Sequence, residues 1–205
     1  MSPSYGQRPT ATAFIGLTGG IAAGKSEALR ALRRLGAATL STDEVVHELL
    51  AEDELRDQVV ERLGAVVLRG GRLDRGAIAD AIFERADERA WLEELLWPRV
   101  GERVVEWRAH QERREPPPVA AIVEVPLLFE AEMEAVFDAT IAVVADDETR
   151  GRRASERGHR ALESRTARQL DQDEKARRAD FVVENDGDLD DLEESLSGVL
   201  ATIGA

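Results

Sequence analysis

A lysine and a serine close the run Gly19-Gly20-Ile21-Ala22-Ala23-Gly24-Lys25-Ser26, which has the form G-x-x-x-x-G-K-[ST]. Glycines let the backbone curl so that successive N–H groups face one anion. A helix starting near Lys25 would add the positive end of its dipole. Lys25 supplies a mobile charge for the β- and γ-phosphates, and the Ser26 hydroxyl is a ligand for Mg²⁺. The chemistry is therefore that of a nucleoside triphosphate, with the acceptor of the phosphate left open. Asp43, in Ser41-Thr42-Asp43, is a carboxylate able to orient a hydroxyl and take its proton. It is equally suited to cap a following helix, and position alone leaves both roles open. Glu124 ends an apolar run, either beside Mg²⁺ or simply closing a strand. From Arg150 to Arg168 there are seven arginines (150, 152, 153, 157, 160, 165 and 168) and His159 against two glutamates. Such a cluster can close over a triphosphate and neutralise the transferring phosphoryl group. The alternative is a surface helix whose arginines pair with Glu148, Glu156 and Glu163. Trp91, Trp97 and Trp107 read as core residues, and His47, His110 and His159 have no metal-binding spacing.

These residues need elements to hold them. Ala13 to Leu17 reads as a buried strand leading into the glycine run. A helix from about Lys25 to Leu35 follows, with Ala28, Leu29, Leu32 and Leu35 on one face and Gly36 ending it. A short strand, Ala37 to Leu40, leads to Asp43. Helical patterns then carry Val45, Val46, Leu49 and Leu50, and next Leu55, Val59 and Leu63. Gly70-Gly71 marks a small hairpin or loop. Asp74 caps a helix reaching about Arg85. Asp87 caps the next, which carries Trp91 to Trp107 and is kinked or split at Pro98. Residues 44–115 thus hold helices and no sheet strand, the natural place for a substrate-binding insertion. Val119 to Val125 and Ala139 to Ala145 are apolar throughout, as strands buried on both faces must be. Phe181-Val182-Val183 is the last strand, and Asp188 to about Thr202 a closing amphipathic helix. Strands alternating with helices give an α/β fold with a parallel sheet. Ligands of such sheets bind at the carboxyl ends of strands. That rule gathers the glycine run, Asp43, Glu124 with Pro126 to Glu130, the arginines and Asn185 on one edge.

The chain of 205 residues has the length of one domain, and 43% hydrophobic residues supply a core. A net charge of −14 argues against a nucleic-acid or anionic-membrane binder. The absence of cysteine excludes disulfides, cysteine-ligated metals and thiol catalysis, and fits a cytoplasmic location. Residues 1–11 are polar, without an apolar run of signal-peptide length, and are expected to be disordered. No segment has the length and apolarity of a membrane span.

The ordered set of motifs resembles the dephospho-CoA kinase family over about residues 12–200. Leu17 to Ser26 is similar to its L-T-G-G-I-G-S-G-K-S signature. Asp43 matches the second aspartate of its D-x-D, and Leu73-Asp74-Arg75 with Ile82-Phe83 its D-R and I/V-F pair. Trp91-Leu92-Glu93 with Pro98, and Pro126-Leu127-Leu128-Phe129-Glu130, match its W-L-E…H-P and P-L-L-F-E segments. Arg153 and Arg157, Arg165 with Gln169, and Ala179 to Asn185 match its lid arginines, its R-x-x-x-Q and its A-D-Y-V-I-D-N.

The resemblance implies transfer of the ATP γ-phosphoryl group to the ribose 3′-hydroxyl of dephospho-CoA, with Mg²⁺. It implies a P-loop kinase-type three-layer fold with a parallel five-stranded sheet. The nucleotide core would comprise 12–43, 116–146 and 179–205, the helical CoA-binding insertion 44–115, and the arginine lid 147–178. It makes Asp43 the base beside Lys25 and Arg153. It gives the nucleotide to Gly19, Gly20, Ile21, Ala22, Ala23, Gly24, Lys25, Ser26, Glu27, Arg157 and Asn185. It gives the acceptor to Asp43, Arg75, Pro126, Leu127, Leu128 and Arg165, and the metal to Ser26 and Glu124. A monomer or small homo-oligomer is expected. The chain departs from the pattern at Ser41 (for the first aspartate), Glu27 (for Thr), Ala22 (for a frequent Gly) and Trp97 (for His). Since Lys25, Ser26 and Asp43 stand, an active enzyme is expected. The competing readings are another small-molecule kinase, for a nucleoside, a nucleotide or another alcohol, and a non-catalytic ATP-binding protein.

Overall fold

In the computed structural model, which describes residues 12–156 and 169–204, the centre of the fold is the strand that feeds the glycine run. This strand, β1 (Phe14–Gly19), is buried along its whole length. Helix α1 (Lys25–Arg34) follows it, then β2 (Ala38–Ser41), α2 (Thr42–Leu49) and α3 (Asp53–Leu63). A two-stranded hairpin, β3 (Leu68–Arg69) and β4 (Arg72–Leu73), leads to α4 (Arg75–Ile82) and α5 (Ala86–Glu112). The chain returns to the sheet with β5 (Ala121–Glu124) and β6 (Ala139–Val144). It leaves again through α6 (Asp147–Glu156) and α7 (Gln172–Arg178), and ends with β7 (Phe181–Glu184) and α8 (Leu189–Ile203). The five long strands form one sheet in the order β2-β5-β1-β6-β7, all neighbours parallel.

Alternation along the strands sorts the core into two layers. Ile15, Leu17 and Ile122 pack with Ala28 and Leu32 of α1 and Leu192 and Leu196 of α8. Phe14, Ala121 and Val123 point the other way and pack with Leu128, Phe129 and Phe137. Gly16 is needed in β1 because a Cβ there would come within 2.6 Å of Leu128 Cδ1 and 2.8 Å of Phe137 Cδ2. A third cluster lies in the insertion, with Val45, Leu55, Val59, Val67, Ile78, Leu92 and Leu96 buried together and Leu40 of β2 packed against them.

Local signals hold where they are short-range. Asp74 accepts a hydrogen bond from Ala77 N at 2.7 Å and caps α4. Asp188 caps α8 with a reciprocal bond to Asp191. Gly70 and Gly71 turn the β3–β4 hairpin at φ +58° and +77°, the left-handed pair that a two-residue turn requires. Others fail. Asp87 lies inside the first turn of α5, which starts at Ala86 after Arg85, and is not its cap. Helix α4 stops at Ile82, short of Arg85. Of the kink or split read at Pro98, the split does not occur, and α5 runs unbroken from Ala86 to Glu112. Leu92 and Leu96 before the proline and Val100 after it share the insertion's core, and this packing outweighs one lost backbone bond. Trp97 is 58% exposed and not a core residue, whereas Trp91 and Trp107 are half-buried. The expectation of a disordered 1–11 falls outside the described residues.

Candidate active site

The phosphate loop begins where β1 ends. Gly19 adopts φ +154°, and a Cβ there would stand 2.2 Å from Val143 O of the neighbouring strand. Ala22 has φ +60° and Gly24 φ +97°, so the loop passes twice through the left-handed region. At Gly24 a side chain would meet Asn185 Nδ2 at 2.0 Å. Asn185 is buried after β7 and donates to Ala23 O at 2.8 Å, and Arg153 Nη1 reaches the same carbonyl at 3.5 Å. Gln172 and Arg150 back the loop at Gly20, with Gln172 Oε1 3.3 Å and Arg150 Nη1 3.6 Å from where a Cβ would lie. Lys25 Nζ donates to Gly19 O at 3.1 Å and Gly20 O at 3.0 Å, so its ammonium is held over the loop. Burial pulls its pKa below the usual lysine range. Glu124, Asp43 and Glu130 oppose that shift, and the Lys175 charge adds to it.

The loop's departures from the family pattern now have local consequences. Ala22 occupies a conformation that costs an L-residue about 1–2 kcal/mol and a glycine nothing. Ala22→Gly is expected to stabilise the protein by about 1 kcal/mol, less the greater chain entropy of glycine, raising Tm by roughly 2–4 °C. Thermal denaturation tests this, and an unchanged or lower Tm would show that Ala22 is unstrained. Glu27 stands in the first turn of α1 and pairs with Arg30 at 2.6 Å, an exposed contact worth little on its own.

The carboxylates come from the β2–β5 edge. Strand β2 runs one residue further than its apolar run, pairing Ser41 with Glu124 in register. Ser41 Oγ donates to Glu124 Oε2 at 2.6 Å, and Thr42 Oγ1 to Glu124 O at 3.0 Å. An aspartate at position 41 would have faced Glu124 with a second negative charge, and serine supplies a donor instead. Burial raises the Glu124 pKa, while the Ser41 bond and Lys25 pull it down. The extra residue of strand makes Ser41 the residue that precedes α2, and Asp43 falls inside the helix's first turn. The capping role considered for Asp43 is therefore not found. Its carboxylate is exposed, at the positive end of α2, near Lys25 and Glu124.

Among the described arginines, Arg153 and Arg150 reach the loop. Arg150 is also ion-paired with Asp147, so the surface-pairing alternative is partly realised in the same side chain. Helix α6 is anchored to the sheet edge: Thr149 N donates to Asp146 Oδ1 at 2.6 Å, and Asp146 N to Asp186 Oδ1 at 2.7 Å. Arg152 is exposed. Arg157, His159, Arg160, Arg165 and Arg168 lie outside the described residues. Of the residues expected to meet the acceptor, Pro126 and Leu127 are half-buried in the turn after β5. Leu128 is fully buried under β1 and supports that turn from below. Arg75 stands exposed at the first position of α4, within the insertion.

No group of three or more His, Cys, Asp or Glu among the described residues could cage a metal. Mg²⁺ in nucleotide sites takes only one or two protein oxygens, with phosphates and water completing its shell. The Ser26 hydroxyl and the Glu124 carboxylate, hard oxygen donors beside the loop, fit that need.

Two contributors escape sequence reading. Gln172 straps the end of β6, donating to Ala145 O at 2.8 Å and accepting from Ala145 N at 3.2 Å. Lys175 is wholly buried beside the loop's root. Composition does carry a signal for it: of 27 basic residues only Lys25 and Lys175 are lysines.

Comparison with known proteins agrees with this geometry. A family model described as dephospho-CoA kinase matches residues 13–191. The chain is 38% identical over 187 residues to the dephospho-CoA kinase of Protochlamydia amoebophila, covering 89% of this chain and 92% of that one. It is 40% identical over 182 residues to the dephospho-CoA kinase of Moorella thermoacetica, covering 86% and 85%. Among solved structures, TT1252 from Thermus thermophilus superposes with a TM-score of 0.77 at 34% identity, covering 95% of this chain and 99% of that one.

Proposed function

The chain belongs to the dephospho-CoA kinase family: it is a transferase that phosphorylates dephospho-CoA with ATP, and we propose the following roles for its residues. The backbone N–H groups of Gly19 to Ser26, with the α1 dipole behind them, hold the ATP phosphates. Lys25 neutralises charge on the β- and γ-phosphates, and Arg153 adds to this from the lid side. Asp43 orients the ribose 3′-hydroxyl and accepts its proton as the oxygen attacks the γ-phosphorus. The bond from that phosphorus to the β–γ bridging oxygen breaks, ADP leaves, and the exposed Asp43 releases the proton to solvent. Ser26 and Glu124 would hold Mg²⁺, which would supply positive charge to offset that of the phosphates.

The observation that carries this reading is the convergence of Lys25, Asp43 and Glu124 at one edge of the sheet, beside a loop built for phosphates. Glu27 and Asn185 shape the nucleotide side, Asn185 by holding Ala23. Arg157 and Arg165 are assigned to nucleotide and acceptor by the family pattern. Residues 12–43, 116–146 and 179–205 form the nucleotide core. The insertion of 44–115, with Arg75, binds the CoA moiety together with Pro126 and Leu127, and 147–178 closes over the site. We place the enzyme in the cytoplasm, as a monomer or small homo-oligomer, without a nucleic-acid or membrane partner. Among the described residues no helix is long and apolar enough to cross a membrane.

The deciding assay is ADP release with ATP and Mg²⁺ over a panel of acceptors. Dephospho-CoA is expected to stimulate release strongly, and nucleosides and other alcohols weakly. Preference for a nucleoside, or no stimulation by any acceptor, would overturn the assignment.

A further inference from the structure

Lys175 is the largest fully buried cation of the described structure, 0% exposed, in a chain that otherwise uses arginine everywhere except Lys25. It sits on α7, with its ammonium pointing back across the sheet edge. Nζ donates to Pro126 O at 2.6 Å, pairs with Glu130 Oε1 at 3.0 Å, and reaches Thr18 Oγ1 at 3.4 Å. Thr18 itself donates to Pro126 O at 3.3 Å. Glu130 Oε1 also accepts from Leu170 N at 2.8 Å, so the pair ties the chain entering α7 to the far end of the Pro126–Glu130 turn. One ammonium thus joins three pieces of the site: the residue before the phosphate loop, the acceptor turn, and the helix on which the lid segment returns to the core.

A lysine is required here for a physical reason. Three separate acceptors surround a point in the interior, and a compact ammonium with three donors satisfies them where a planar guanidinium fork would not. Burying that charge is costly. Burial lowers the Lys175 pKa, with Glu130 opposing the shift. An apolar pair of similar volume would commonly serve stability as well or better. Stability alone therefore gives no reason for this arrangement, whereas holding a backbone carbonyl in a fixed direction does.

We propose that Lys175 is a positioning residue for the acceptor. By holding the Pro126 carbonyl, and Glu130 at the other end of the turn, it sets the orientation in which Pro126 and Leu127 meet dephospho-CoA. The proposal rests on the assignment of that turn to the acceptor. Its two short contacts are to the turn and its long one is to Thr18, so the effect falls on the acceptor more than on ATP.

Three variants test it by steady-state kinetics and thermal denaturation. Lys175→Met takes the cation from the half-buried Glu130, which keeps its bond from Leu170 N, and should lower Tm and raise KM for dephospho-CoA at least tenfold, with KM for ATP within about threefold of the parent. The double variant Lys175→Met/Glu130→Gln removes both charges. It should recover most of the Tm while KM for dephospho-CoA stays high, because the Pro126 carbonyl still lacks its ammonium. It also keeps the test usable if the single variant does not fold. Recovery of KM together with Tm, or a KM within twofold of the parent in either variant, would overturn the positioning role. Leu127→Ala probes the turn directly and should raise KM for dephospho-CoA. An unchanged KM there would remove the turn assignment and the proposal with it, whereas a rise there without one in the Lys175 variants would remove the proposal alone.

Discussion

Lys25→Ala is expected to lower kcat/KM by about 10³-fold, the scale of losing one preorganised charge from a phosphoryl-transfer site. Its folded stability should change little. Among the described residues the Nζ bonds run to the loop carbonyls of Gly19 and Gly20, and Glu124, which loses the Lys25 charge, keeps its hydrogen bond from Ser41. Truncation also removes an ammonium that burial already disfavours. The two effects are separable: ADP release reports the first and thermal denaturation the second. A loss of less than tenfold in kcat/KM would show that the loop N–H groups and Arg153 suffice. A large fall in Tm would mean that Lys25 holds the loop closed as well as charging it.

Asp43→Asn should lower kcat by roughly 10²–10⁴-fold, the usual contribution of a general base, while KM for ATP moves little. The amide keeps the shape of the side chain and loses only its proton affinity and charge. Stability should stay close to that of the parent, because Asp43 is exposed within the first turn of α2 and Ser41, not Asp43, precedes the helix. The charge lost at the positive end of α2 is worth about 0.3–1 kcal/mol. Near-normal kcat would leave Asp43 as a helix-dipole partner, and a kcat that falls only in step with a raised KM for ATP would place it on the nucleotide instead. Measured together, the two variants separate the phosphate side of the reaction from the hydroxyl side.

Much of the chemistry was legible because it is written in contiguous residues. A phosphate loop is a local object, and its glycines, its lysine and its flanking strand and helix all lie within one short run. The cap at Asp74 and the Gly70-Gly71 turn are local in the same sense, since each is decided by atoms a few residues apart. Where the reading was open or missed, a distant partner decided. Pairing with β5 carried β2 through Ser41, so the cap that was the alternative role for Asp43 is not formed. Of the kink or split read at Pro98, the split does not occur, because buried neighbours on both sides hold α5. Trp97 faces outward because the helix presents a different face to the insertion's core.

By itself, then, the sequence determined the fold class, the phosphate loop, the parallel sheet and the identity of Lys25 and Asp43 as the residues to test. These follow from short-range sterics, from strand and helix periodicity and from motif spacing. Only the tertiary structure decided that Asn185 and Arg153 converge on Ala23, that Ser41 hydrogen-bonds Glu124, and that Lys175 is buried against Pro126 and Glu130. Those contacts join residues 45 (Lys175 and Glu130) to 162 positions apart, brought together when the strands pair, and no local pattern in the chain encodes where such a side chain will end.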